Sequence, residues 1–97
     1  MGKTYVGDVG TRITLTLGED ASTATVRTIK YEKPNGSVGG WDATLGADNE
    51  SIYYDTASAD DLDQAGTWTL ESYVEMPTGK WHGERVRLRV YDPVDDA

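Results

Sequence analysis

The chain has 97 residues, 37% of them hydrophobic, a formal charge of -8 and no cysteine, which describes one small domain without disulfides or thiolate metal sites. No apolar run approaches the roughly 18 residues that cross a bilayer, and the opening Met1 to Gly10 lacks the basic and then apolar pattern of a secretory signal. Nine basic against seventeen acidic residues repel phosphate backbones, so neither nucleic acid nor a membrane is expected as a partner.

Six tyrosines and three tryptophans with no phenylalanine favour half-buried pleated surfaces. No window holds a helical apolar period for longer than about one turn. In chain order, a short first strand is expected around Lys3 to Val6. Ile13 to Leu17 alternates strictly and points Ile13, Leu15 and Leu17 inward. The extended run from Ala24 to Lys33 changes apolar phase between Val26 and the Ile29/Tyr31 pair, which predicts a bulge or an edge position. Pro34 to Ser37 has turn chemistry. Trp41, Ala43 and Leu45 alternate through a third run, and Ile52 to Tyr54 mark a fourth. The polar stretch from Ser58 predicts one helical turn near 59–64, capped by Ser58 and supplied with acids in its first turn.

The last third is the most regular. Trp68, Leu70, Ser72, Val74 and Met76 share one face of a strand, with Thr69, Glu71, Tyr73 and Glu75 on the other. After a turn at Pro77 to Lys80, Val86, Leu88 and Val90 point inward and Arg85, Arg87, Arg89 and Tyr91 outward. The two runs read as a hairpin whose arginines face Glu71, Tyr73 and Glu75 across the strand pair. The expectation is an all-β, immunoglobulin-like β-sandwich of about seven antiparallel strands in a single domain, residues 1–97. Its core is expected to centre on Trp68, Leu70, Leu15, Leu88, Val86 and Trp41.

Leu62 to Trp68 resembles the corner before the sixth strand of immunoglobulin-like domains, with Trp68 where a Tyr is usual. The wider pattern, Gly10 to Leu15, Ile29 to Ser37, Ile52 to Tyr54 and Gly66-Thr67-Trp68, resembles the immunoglobulin-like domain of baseplate upper proteins and related tail proteins of bacteriophages and prophages. That resemblance implies a non-enzymatic structural or adaptor role in a virion, with other tail, neck or baseplate proteins or a second copy as partners. It also implies residence in the virion and, during assembly, the host cytoplasm.

Catalytic groups are few: one histidine, no thiol and no nucleophile elbow. His82, between Trp81 and Gly83, reads as a structural or solvent-facing residue. Asp60, Asp61 and Asp63, with Asp55, offer oxygen ligands of the kind calcium takes, but the spacing fits no EF-hand loop and a helix start capped by Ser58 explains them more cheaply. No metal and no cofactor are expected. Gly36 to Gly40 lacks the lysine of a phosphate loop and reads as a mobile connection. Trp41, Trp68, Trp81, Tyr53, Tyr54 and Tyr73 are candidates for a glycan-stacking platform, the alternative to the adaptor reading. The candidate protein interface is the outward face formed by Glu71, Tyr73, Glu75, Arg85, Arg87 and Arg89, because arginine and tyrosine dominate interface hot spots.

Overall fold

The computed structural model describes residues 3–92. Among them are eight strands: β1 (Thr4–Tyr5), β2 (Arg12–Thr16), β3 (Val26–Glu32), β4 (Val38–Asp42), β5 (Thr44–Leu45), β6 (Ser51–Asp55), β7 (Gly66–Met76) and β8 (Gly79–Tyr91). They form a five-stranded sheet in the order β1-β8-β7-β3-β4 and a three-stranded sheet in the order β2-β6-β5. The all-β sandwich is as expected. The strand count is eight rather than seven, and β1 runs parallel to β8 instead of antiparallel.

Alternation decides which sheet face each strand buries. In β2, Ile13 and Leu15 are buried while Arg12, Thr14 and Thr16 stay exposed. In β7, Trp68, Leu70, Ser72 and Val74 are buried, as their shared phase requires. Ile29, Trp41, Ile52, Leu62 and Val90 join Ile13, Leu15, Trp68 and Leu70 in the main core, while Val74 packs with Ala21 and Ala24 in a second cluster. The centre of the main core is aromatic: Trp41 stacks on Tyr54 with centroids 5.1 Å apart and 7° between planes, and on Trp68 at 6.0 Å and 18°. Tyr31 leans against both indoles.

Four expectations are corrected. β3 is neither bulged nor at an edge; it pairs continuously with β7 and β4. The apparent phase change arises because the inward position opposite Val74 is Arg27, whose guanidinium reaches the carbonyls of Ala21 and Ser22 at 3.3 and 3.4 Å, while Val26 points outward. The third run is two strands, since the chain crosses between sheets at Ala43, which donates its N–H to Arg27 O at 2.8 Å. Residues 59–62 form a turn and no helix: Asp61 N–H donates to Ser58 O at 3.0 Å and the Ser58 hydroxyl accepts from Asp60 N–H as a cap would, but the chain leaves the turn at Asp63. Val86 points inward yet is 40% exposed, since three strands cannot cover five; Leu88 is only partly buried.

The hairpin of β7 and β8 carries a bulge. Glu71 pairs with Arg85 but Tyr73 pairs with His82, so Ser72 stands opposite two residues of β8. Gly83 is one of them, and a side chain there would run into the Ser72 hydroxyl. The shift in register corrects the expected pairing: Arg85 is the one arginine that faces a glutamate, Tyr73 and Glu75 face His82 and Lys80, and Arg87 and Arg89 face Thr69 and Thr67.

Candidate protein interface

The register of β4, β3, β7 and β8 lays the outward residues of the large sheet in rows. Val38, Glu32, Thr69 and Arg87 form one row; Gly40, Lys30, Glu71 and Arg85 the next; Asp42, Thr28, Tyr73 and His82 a third. Thr67 with Arg89, and Val26 with Glu75 and Lys80, flank them. All six residues expected at the interface therefore share one face. Among the described side chains the face holds five of the nine basic residues (Lys30, Lys80, Arg85, Arg87 and Arg89) against the four carboxylates of Glu32, Asp42, Glu71 and Glu75.

Two of the face's carboxylates are engaged internally. Arg85 Nε donates to Glu71 Oε2 at 3.4 Å, with the arginine largely exposed, and the Tyr73 hydroxyl donates to Glu75 Oε2 at 2.6 Å. That bond to Glu75 raises the Tyr73 phenol above its ordinary pKa. Among the described residues Arg87 and Arg89 form no ion pair; Arg89 lies 5.5 Å over the Tyr91 ring. The Lys30 ammonium lies 4.3 Å over the Tyr73 ring and 3.5 Å from His82 Nε2.

Between β4 and Arg85 the face is concave, a groove of about 500 Å³ lined by Thr28, Lys30, Val38, Gly40, Glu71 and Arg85 among others. Lys30, Glu32, Val38, Gly40 and Lys80 were not read from sequence as part of this surface, because β3 and β4 reach it through non-local pairing. The alternation of Lys30 and Glu32 against Ile29 and Tyr31 carries a faint signal of it. Val38 to Gly40 belong to β4 and not to a mobile connection.

The other candidate sites dissolve into structure. Asp61 accepts from the Tyr54 hydroxyl at 2.8 Å and from the N–H groups of Ala57 and Ser58 at 2.8 and 3.1 Å. Partial burial opposes its charge, but these donors hold the carboxyl below its ordinary range; burial and then Asp61 raise the Tyr54 phenol. Asp63 pairs with Lys33 at 3.0 Å and Asp55 with Arg12 at 2.8 Å. The described residues contain no group of three acids, histidines or cysteines that could hold an ion. Of the aromatic platform, Trp41, Trp68 and Tyr54 form the core, and Tyr53 lies under the Arg12 guanidinium at 3.9 Å. Trp81 is 42% exposed but stands apart from them.

No protein-family model and no curated protein matches the chain. Its fold is similar to the crystal structure of CopC from Methylosinus trichosporium OB3b, with a TM-score of 0.60 over 93% of this chain and 84% of that one. The identity is 16%, so the likeness shows the β-sandwich fold alone. It corrects the resemblance to phage baseplate proteins and the virion role drawn from it, for which no relative was found. The motifs behind that resemblance, a corner glycine, an alternating strand and a Pro-Asn-Gly turn, are what many small sandwiches need for backbone geometry.

Proposed function

We propose that the chain is a non-enzymatic docking module that binds an acidic surface of a partner protein through the outer face of its five-stranded sheet. The observation that carries this reading is the segregation of charge: five of nine cations lie on one sheet face of a chain of net charge -8. Such a face attracts acidic surfaces and sets the orientation of approach, while the rest of the molecule repels them. The arginines and Tyr73 supply anchor types common in interfaces.

The likeness to CopC raises copper handling as a second reading. Copper sites gather imidazole, thiolate or thioether donors around one point. Here His82 is the chain's single histidine and there is no cysteine; Met76, the methionine among the described residues, turns its sulfur to the Thr23 hydroxyl at 3.8 Å. The Lys30 ammonium, 3.5 Å from His82 Nε2, repels a second cation. The residues do not fit the metal, and no chemistry is derived through it.

The test is a paired measurement on Arg87→Glu: a thermal melt, and an affinity measurement against the partner that the wild-type protein captures. The docking reading expects an unchanged melt and binding weaker by about tenfold or more, equivalent to ~1.4 kcal/mol. Equal binding by both proteins would remove this face as the docking surface.

A further inference from the structure

We propose that the partner engages this face by adding an extended acidic segment as a sixth strand along the free edge of β4. This inference deepens the docking reading and rests on it.

β4 is the last strand of its sheet. Lys33 N–H donates to Ser37 O and Ala43 N–H to Arg27 O, both at 2.8 Å. These two bonds fix the phase of the antiparallel ladder. Residues 37, 39, 41 and 43 turn their backbone groups toward β3, so Val38, Gly40 and Asp42 turn theirs outward. The edge lacks the devices that usually blunt one: Val38-Gly-Gly-Trp-Asp has no lysine, proline or bulge and a single charge. Val38, 77% exposed, is the most exposed of the large apolar side chains along it.

The side chains beside the edge state what the added strand must carry. Opposite Val38 the new strand places a side chain on an uncovered apolar surface. Two residues along, opposite Gly40, its side chain meets no neighbour on β4 and faces Lys30 in the same row, then Glu71 and Arg85. The new strand would lie about 9.5 Å from β3, two strand spacings, a gap that a Glu and a Lys side chain close between them above Gly40. Among the described residues the Lys30 ammonium rests over the Tyr73 ring and beside His82 Nε2, on the side of β7 and β8, and its flexible stem swings back across β3 to take the incoming carboxylate. The recognised segment therefore alternates, with an apolar residue two positions from an acid on the same face. Main-chain bonds to β4 supply affinity and the alternate side chains supply specificity. A second copy of the chain fits less well, since its own β4 offers one acid and two copies of charge -8 repel.

The experiment uses fluorescence anisotropy with two labelled synthetic peptides, one repeating Val-Thr-Glu-Thr and one repeating Val-Thr-Lys-Thr, so that Val and the charged residue alternate along one face of the strand. Four proteins are compared: wild type, Val38→Pro, Lys30→Glu and Arg87→Glu. Proline at position 38 removes an outward N–H and leaves the ladder to β3, as edge strands tolerate; circular dichroism checks the fold of each variant. The expected result is binding of the acidic peptide only, weakened about tenfold or more by both Val38→Pro and Lys30→Glu. Equal affinity for both peptides, or acidic binding indifferent to Val38→Pro, overturns strand addition. If Arg87→Glu alone abolishes acidic binding, the docking face stands and this mode of engagement falls. If no variant weakens it, both fall. Sedimentation showing a dimer that Val38→Pro dissolves would assign the edge to a second copy instead.

Discussion

The indole Nε1–H of Trp68 donates to the carbonyl oxygen of Gln64 at 3.0 Å, four residues upstream. A corner in immunoglobulin-like domains is usually tied by a tyrosine hydroxyl that bonds back to the backbone. Here an indole makes the tie, which needs only a donor. Gly66 lies between the two, at φ 127°, with Pro34 packed where a side chain would be. The same ring sits fully buried in the aromatic core, so one residue closes the corner and fills the sandwich. Trp68→Phe removes the donor and part of the ring while remaining aromatic. It is expected to cost about 1–3 kcal/mol in urea unfolding, and a loss below about 0.5 kcal/mol would show that the corner bond contributes little.

Leu70 and Val86 are paired in register and both point inward, but Leu70 is 2% exposed and Val86 40%. Leu70→Ala is expected to cost about 2–5 kcal/mol. Val86→Ala should cost less, about 1 kcal/mol or below, since two-fifths of its surface stays in water. Comparable losses in denaturant melts would mean that the small sheet covers β8 more fully than described.

Asp61 sets an acid limit on stability. Its three donors favour the charged form and lower its pKa in the folded state. A carboxyl with a depressed folded pKa contributes stability above its unfolded value of about 3.9, and that contribution is lost as pH falls through the folded pKa. Asp61→Asn should be destabilised by about 1–3 kcal/mol at pH 7. The difference from wild type should shrink when unfolding is measured below about pH 4. A difference independent of pH would place the effect in the amide's geometry instead of the charge.

The bulge at Ser72 depends on Gly83. Gly83→Ala forces a methyl group against the Ser72 hydroxyl and should cost about 1–3 kcal/mol. Ser72→Ala removes that oxygen, so the double variant should recover most of the loss, and the coupling is read from a double-mutant cycle. Additive losses would show that the backbone of the bulge, and not this contact, excludes a side chain.

Copper(II) added to wild type and to His82→Ala is expected to give the same calorimetric response, because the imidazole faces Lys30 and no cluster of ligands. A stoichiometric site that disappears with His82 would revive the copper reading.

Alternation alone determined a good deal of this molecule. Ile13 and Leu15, the stripe from Trp68 to Val74, and the outward phase of the arginines and glutamates of the last hairpin all follow from a period of two, because each neighbour along a strand must face the other way. The last hairpin closes through a two-residue turn, so its pairing is local and legible, but the bulge at Ser72 shifts the register and leaves Arg85 as the one arginine opposite a glutamate. What only the tertiary structure decided lay between strands distant in sequence. Val26 looked like a core residue until Arg27 took the inward phase, and Trp41 and Leu45 looked like one strand until the chain changed sheets at Ala43. The aspartates from 55 to 63 looked like one cluster, yet Arg12, Lys33 and Tyr54 each claimed one. The docking face was half legible for the same reason: β7 and β8 announce their outward rows, whereas Lys30, Glu32 and the Val38 edge join them only through pairings that no local pattern encodes.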